Sequence, residues 1–192
     1  MPALDSENFN GRCPRCLAHM TVVSQRTVPS IAKTDNKMGG EIVIVVDNLR
    51  SAYNVGAILR TAECFGVSQV YLCGITPSAD NDAVRKTSVG AWEFLEIRES
   101  PNLIKTCDDL RQEGFEIWAL ELAEGAVSVR DLGMRPAKLA LVVGNERCGV
   151  DGSLLEAAER IIYIPMSGNK NSLNVEVSFG IAMESLVKLN PE

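Results

Sequence analysis

Three short polar segments carry the residues of this chain best suited to chemistry, and each follows an apolar run. The first reads Asp47-Asn48-Leu49-Arg50-Ser51-Ala52-Tyr53-Asn54-Val55-Gly56-Ala57-Ile58-Leu59-Arg60-Thr61 and sets Asn54, Gly56 and Arg60 around the start of a helical pattern. Glycine inside a helix costs about 1 kcal/mol relative to alanine, so Gly56, one turn before Arg60 on the same face, needs a reason. Either a substrate or partner approaches the backbone there with Arg60 reaching over it, or another helix packs against Gly56 and Arg60 makes a surface ion pair. The second segment, Gly144-Asn145-Glu146-Arg147-Cys148-Gly149, brackets polar residues with two glycines. Its backbone amides could face a ligand, or it is an ordinary turn. The third, Pro165-Met166-Ser167-Gly168-Asn169-Lys170-Asn171-Ser172-Leu173-Asn174, runs straight into a helical pattern. Such a loop can bind an anion or carboxylate at the helix N-terminus, while Ser172 or Asn174 can serve simply as the cap.

Other chemistries are excluded by what is missing. The one histidine, His19, lies near the start, which removes Ser-His-Asp, Cys-His and His-Glu-x-x-His chemistry from everything downstream. Neither a G-x-G-x-x-G after a strand nor a G-x-x-x-x-G-K-[ST] is present, against ordinary dinucleotide or nucleoside-triphosphate binding. Of six cysteines, Cys64 and Cys73 read as small buried hydrophobes. Cys13-Pro14-Arg15-Cys16 with His19 is half of a zinc-ribbon ligand set. The second pair is missing, so a tail carrying two thiols is the simpler reading of Cys13 and Cys16. The net charge of −6 is uneven: residues 1–40 hold five Lys/Arg against three Asp/Glu, and the remainder is acidic. That argues against bulk electrostatic binding of nucleic acid, though not against a local basic patch.

These segments need a scaffold. At 192 residues, 46% hydrophobic and 23% charged, the chain suits one globular domain with an appendage. No apolar run approaches the roughly 18 residues of a membrane helix, and no basic-then-apolar signal opens the chain, so a cytoplasmic protein is expected. Residues 1–40 contain Pro2, Pro14 and Pro29, lack periodicity and end in Gly39-Gly40, as an arm or linker does. From Glu41 short β-branched runs recur at Ile42–Val46, Gln69–Cys73, Glu116–Leu120, Lys138–Val143 and Arg160–Ile164. Helical patterns lie between them. The first buries Ala57, Ile58, Thr61, Ala62 and Phe65, another opens at Ser100-Pro101, and the last two cover Asp151–Arg160 and Leu173–Leu189. Five strands alternating with helices predict an α/β domain over 41–192, with a mainly parallel sheet flanked by helices. Ligands then bind beyond the carboxyl ends of the strands, where the three polar segments fall.

Taken in order, Asn54-Val55-Gly56-Ala57-Ile58-Leu59-Arg60-Thr61-Ala62-Glu63-Cys64-Phe65-Gly66, Leu141-Val142-Val143-Gly144-Asn145-Glu146-Arg147-Cys148-Gly149 and Ile164-Pro165-Met166-Ser167-Gly168-Asn169-Lys170-Asn171-Ser172-Leu173-Asn174-Val175 resemble the three signature motifs of the SpoU (TrmH-like) branch of the SPOUT RNA methyltransferases. The resemblance spans about residues 41–189, includes Lys86-Thr87-Ser88-Val89-Gly90-Ala91, and leaves out residues 1–40. It implies a sheet whose C-terminal segment threads a deep trefoil knot, a topology that general rules of chain connection disfavour. It also implies S-adenosylmethionine (AdoMet) as cofactor, methyl transfer to a ribose 2′-hydroxyl of tRNA or rRNA, and a homodimer with both subunits at each site. By position, Arg60 matches the arginine held to activate the hydroxyl, and Asn54 the asparagine beside it. Glu146 matches the glutamate of the second motif, and Ser172 and Asn174 the polar pair of the third. Leu120, Gly144, Ile164, Met166, Ser172 and Leu173 match positions that line the cofactor pocket.

Arginine is an awkward base, since its pKa exceeds about 12, so Arg60 is expected to stabilise a developing alkoxide or to act through a substrate phosphate. Two residues depart from the pattern: Glu176 and Phe179 stand where smaller or neutral residues are usual, which bears on helix packing or the dimer. The separate N-terminal RNA-binding domain of many members has no counterpart in residues 1–40. RNA recruitment then falls to the catalytic domain, a dimer groove, or Arg12, Arg15, Arg26, Lys33 and Lys37 of the arm. The competing readings are a non-catalytic RNA-binding or assembly protein that keeps the fold, and a methyltransferase directed at a base.

Overall fold

The computed structural model describes Arg12, Cys16, Ala18 and His19, then residues 40–170 and 172–191. The chain divides into a unit of Met1–Asn36 and a unit of Lys37–Glu192. In the first unit, Arg12 and His19 form an antiparallel bridge and Cys16 is an exposed free thiol. Cys13, Arg15, Arg26, Lys33 and Lys37 lie outside the described residues. Among the described residues no group of three or more His, Cys, Asp or Glu is placed to hold a metal ion.

The second unit is built on seven strands: β1 (Glu41–Asp47), β2 (Gln69–Cys73), β3 (Glu96–Ser100), β4 (Glu116–Leu120), β5 (Val127–Ser128), β6 (Lys138–Val143) and β7 (Arg160–Tyr163). Among the described residues five α-helices accompany them, α1 (Ala52–Cys64), α2 (Asp82–Ser88), α3 (Leu103–Gln112), α4 (Gly152–Ala157) and α5 (Val175–Val187), with one 3-10 turn at Ala91–Phe94. The strands form one sheet in the order β3-β2-β1-β6-β4-β7-β5, and every pairing is parallel.

Alternation along the strands divides the core in two. Ile42, Ile44 and Val46 of β1 and Leu139, Leu141 and Val143 of β6 share a core with Val55, Ile58, Leu59 and Ala62 of α1 and Phe179, Ala182, Met183 and Leu186 of α5. Val43, Val45, Ala140 and Val142 face the other way, against Leu103, Cys107 and Leu110 of α3 and Leu154 of α4. A strand buried on both faces reads as a continuous β-branched run, which is why β1 and β6 are conspicuous in the sequence. Phe179 is fully buried in the first core, and Glu176 accepts a hydrogen bond from Thr61 Oγ1 at 3.4 Å. The two departures thus sit at the α1–α5 packing.

Several expectations are corrected. Two further strands exist, β3 and β5, both at sheet edges. Ser100 ends β3 instead of capping a helix. The cap of α3 is Asn102, whose side chain accepts from Lys105 N at 3.0 Å, and α4 is shorter than the 151–160 pattern. In α1 the deeply buried stripe is Val55, Gly56, Ile58, Leu59 and Ala62, with Ala57, Thr61 and Phe65 only half-buried. Among the described residues no helix is long and apolar enough to cross a membrane.

Candidate active site at the carboxyl ends of the strands

A crevice opens beyond the carboxyl ends of the neighbouring strands β6, β4 and β7, where parallel sheets place their ligands. A cavity of about 480 Å³ fills this place. Leu120 ends β4, Val143 ends β6 and Tyr163 ends β7, and the segments that follow them supply most of the remaining wall. Leu120, Gly144, Ile164, Met166, Ser172 and Leu173 all line it, as do Asn54, Glu146 and Asn174. Arg60 does not: it is exposed on α1 outside the lining.

Asn54, Glu146 and Asn174 form one hydrogen-bonded chain. Glu146 Oε1 accepts from Asn54 Nδ2 at 3.0 Å and from Ser51 N at 3.0 Å, and its Oε2 accepts from Arg50 N at 3.1 Å. A carboxylate at this helix start satisfies amides with no intrahelical partner and lies at the positive end of the α1 dipole. Asn54 Oδ1 in turn accepts from Asn174 Nδ2 at 3.2 Å. Asn174 is the N-cap of α5, its Oδ1 accepting from Glu176 N at 2.8 Å. Capping and site-building therefore fall on the same residue. Burial acts to raise the Glu146 carboxyl pKa, but hydrogen bonds from Arg50 N–H, its own N–H, the Asn54 amide and Ser51 N–H outweigh it, and the net direction is down. Glu146 is thus an acceptor held ionised, unsuited to storing a proton near neutrality.

The loop after β6 is braced at both ends. Asn145 Nδ2 donates to Asn48 O at 2.6 Å, and Asn145 Oδ1 accepts from Arg147 N and Cys148 N at 2.9 and 3.1 Å. Asp47, 2% exposed, takes Asn48 Nδ2 at 2.7 Å and Asp151 N at 3.2 Å. Burial pushes its carboxyl pKa up against those two bonds. A Cβ on Gly144 would run into the backbone of Gly149 and Val150, so only glycine lets the two ends of the loop close together. The glycines flanking this loop serve the fold of the loop itself.

Gly56 settles its own alternatives. A Cβ there would collide with Thr87 Oγ1 and Val84 O of α2. The residue is glycine because α2 packs on it, and no substrate needs that space. Arg60 makes no hydrogen bond or ion pair among the described residues, so the surface ion pair once set beside that contact is not present.

Residues 41–184 match the SpoU rRNA Methylase family. The chain belongs to that family. A protein of Staphylococcus haemolyticus named for the TrmH family of tRNA/rRNA methyltransferases is 33% identical over 153 residues, covering 80% of this chain and 61% of its own. This SpoU chain therefore spans about three fifths of the length of that relative. An AdoMet-bound rRNA methyltransferase from Sinorhizobium meliloti superposes with a TM-score of 0.72 at 28% identity, over 77% of this chain and 56% of that one. An RNA 2′-O ribose methyltransferase superposes with a TM-score of 0.68 at 26% identity, over 84% of this chain and 60% of that one. Asn145 and Arg147 of the second polar segment also line this SpoU cavity, as do Glu121, Leu122, Tyr163 and Ser178, which sequence reasoning had missed. Glu121 directly follows Leu120 at a strand end, where one charged residue looks like any turn; Leu122, Tyr163 and Ser178 carry no signal of their own.

Proposed function

We propose that this chain transfers a methyl group from AdoMet to a ribose 2′-hydroxyl of tRNA or rRNA. The observation that carries the reading is the convergence of the three polar segments on one cavity, tied by the Glu146–Asn54–Asn174 chain. Support for ribose comes from the 2′-O ribose methyltransferase to which the chain is similar, and support for the cofactor from the AdoMet-bound neighbour.

The cavity residues fit AdoMet. Its volume falls in the range of small-molecule sites. Apolar Leu120, Val143, Ile164, Met166 and Leu173 suit a flat adenine, and the carboxylates of Glu121 and Glu146 suit a cation. When bound, AdoMet supplies a methyl group already made electrophilic by its sulfonium. The chain's own task is to bring a ribose oxygen into line with it and to ease removal of the hydroxyl proton. Leu120, Gly144, Ile164, Met166, Ser172 and Leu173 hold the cofactor, and Asn54, Glu146 and Asn174 fix the loops that carry them. With no histidine in the described second unit, the guanidinium of Arg60 stabilises the developing alkoxide electrostatically.

The trefoil knot belongs to the same proposal. The chain between β4 and β6 runs out to β5 and back, so β7 lies between β4 and β5. That return segment also holds the C-terminal helix, Arg135 Nε donating to Leu186 O at 3.2 Å. A homodimer is proposed on the α1–α5 side, where Val177 and Ile181, one turn apart on α5, stay 44% and 39% exposed and Tyr53 of α1 62% exposed. A second copy there would lie beside Arg60, the neighbour of Thr61 on α1. Residues 1–40 form a separate arm in this reading, and the setting is the cytoplasm.

The test is transfer of labelled methyl from AdoMet to RNA from cells lacking the protein, followed by digestion to nucleosides. Label in a 2′-O-methyl nucleoside is expected. Label on a base would redirect the reading to base methylation. Cofactor binding with no transfer to any RNA would redirect it to a binding or assembly role.

A further inference from the structure

Two carboxylates line the cavity, and they differ in what is left over for a ligand. Three donors from the α1 start already engage Glu146. Glu121, half-buried, has each oxygen on a single amide: Oε1 accepts from Leu122 N at 2.8 Å and Oε2 from Val150 N at 3.1 Å. A carboxylate offers about four acceptor positions, so Glu121 keeps one free on each oxygen. It is also rigidly placed. Its backbone N–H donates to Ile162 O at 3.0 Å, and its Oε2 occupies the space that a Cβ on Gly149 would need, at a residue with φ of +72°. The positive φ favours glycine at position 149, and the Glu121 carboxylate seats against its bare Cα. A fixed negative charge then stands in the wall between the floor residue Leu120 and the loop after β6.

We infer that Glu121 is a specificity-determining residue that reads the positive charge of the cofactor, so that the site holds AdoMet and releases the spent product. The inference rests on the AdoMet reading above. Transfer moves the methyl from sulfur to the ribose oxygen, the hydroxyl proton goes to solvent, and the sulfonium becomes an uncharged thioether. AdoMet carries a net charge of plus one and S-adenosylhomocysteine none, while their shapes differ by one methyl. A preorganised carboxylate discriminates between them where an apolar wall does so only weakly.

Calorimetric titration of the full chain with AdoMet and with S-adenosylhomocysteine, in wild type and Glu121→Gln, tests this without any turnover. Wild type is expected to prefer AdoMet by about tenfold or more, the size of one partly screened charge contact. Glu121→Gln, which also sets a donor against Leu122 N–H or Val150 N–H, should weaken both ligands but AdoMet by much more, so that most of the preference is lost. A second readout needs no variant: the wild-type preference should shrink as salt is raised toward ~1 M. A preference unchanged in Glu121→Gln overturns the inference. Equal weakening of both ligands also overturns it, because Glu121 would then only brace the loop. Wild type that binds both ligands without preference contradicts this inference alone, whereas wild type that binds neither contradicts the AdoMet reading itself.

Discussion

The cavity rim and the outer face of α1 are a few residues apart in sequence and opposite in character. At the rim, Asn54, Glu146 and Asn174 join three distant segments, and the loop after β6 is braced by Asn48 and Asp47. Two turns along the same helix, Arg60 is exposed and has no bonded partner among the described residues. The residues proposed to hold the cofactor line one cavity of a single chain. Arg60, proposed to act on the hydroxyl, lies outside that lining. Binding and transfer should therefore separate on mutation.

The sharpest probe of that separation is Arg60→Lys. A compact ammonium keeps the charge but lacks the planar fork, so kcat is expected to fall about 100-fold with AdoMet affinity unchanged. Near-full activity at neutral pH would remove the guanidinium from the mechanism. Gly56→Ala comes next. Its methyl meets Thr87 and Val84 of α2, and such overpacking should cost about 1–3 kcal/mol in chemical denaturation. Asn54→Ala breaks the links to Glu146 and Asn174. A loss of about 1–2 kcal/mol is expected, together with weaker AdoMet binding, which the Gly56 variant should not show while folded.

The smallest effect is on pH and carries two signs. The Glu146 carboxyl is lowered in the fold, so its contribution is present above the ordinary carboxylate range and lost as pH falls through its depressed pKa. The Asp47 carboxyl is raised by burial, so its contribution is greatest in acid and is lost as pH rises from the ordinary range through the raised pKa. Thermal unfolding across the acid range should show a shallower low-pH decline in Glu146→Gln, the lowered Asp151 carboxyl keeping part of it, and a steeper one in Asp47→Asn. Glu146, whose window lies below the ordinary carboxylate range, should not shape activity between about pH 7 and 8.

The legible parts of this molecule are those whose physics is local. β1, β2, β4 and β6 announce themselves because strands buried on both faces must be apolar throughout, and β7 through Ile161-Ile162-Tyr163 although only Ile162 is fully buried. β3 reads Glu96-Ile97-Arg98-Glu99-Ser100 and hides because an edge strand is charged and half-exposed. β5 has two residues and exists through its pairing with β7 alone. The helix start at Ser100-Pro101 had the right residue types, but the β2–β3 pairing claimed Ser100 first. In the site, the residues named from the three segments meet at one cavity, Arg60 excepted. The packing reason for Gly56 was invisible because α2 had not been recognised. Glu121 was passed over because one charged residue after a strand looks like any turn until Gly149 and Val150 are placed against it.

The most direct test pairs two measurements on Arg60→Ala. One is equilibrium titration with AdoMet, and the other is transfer of labelled methyl to RNA with nucleoside analysis. The account predicts AdoMet affinity within about twofold of wild type and loss of 2′-O-methyl product by about 100-fold or more. Cofactor affinity that falls in step with transfer, or transfer that persists without the guanidinium, would contradict it.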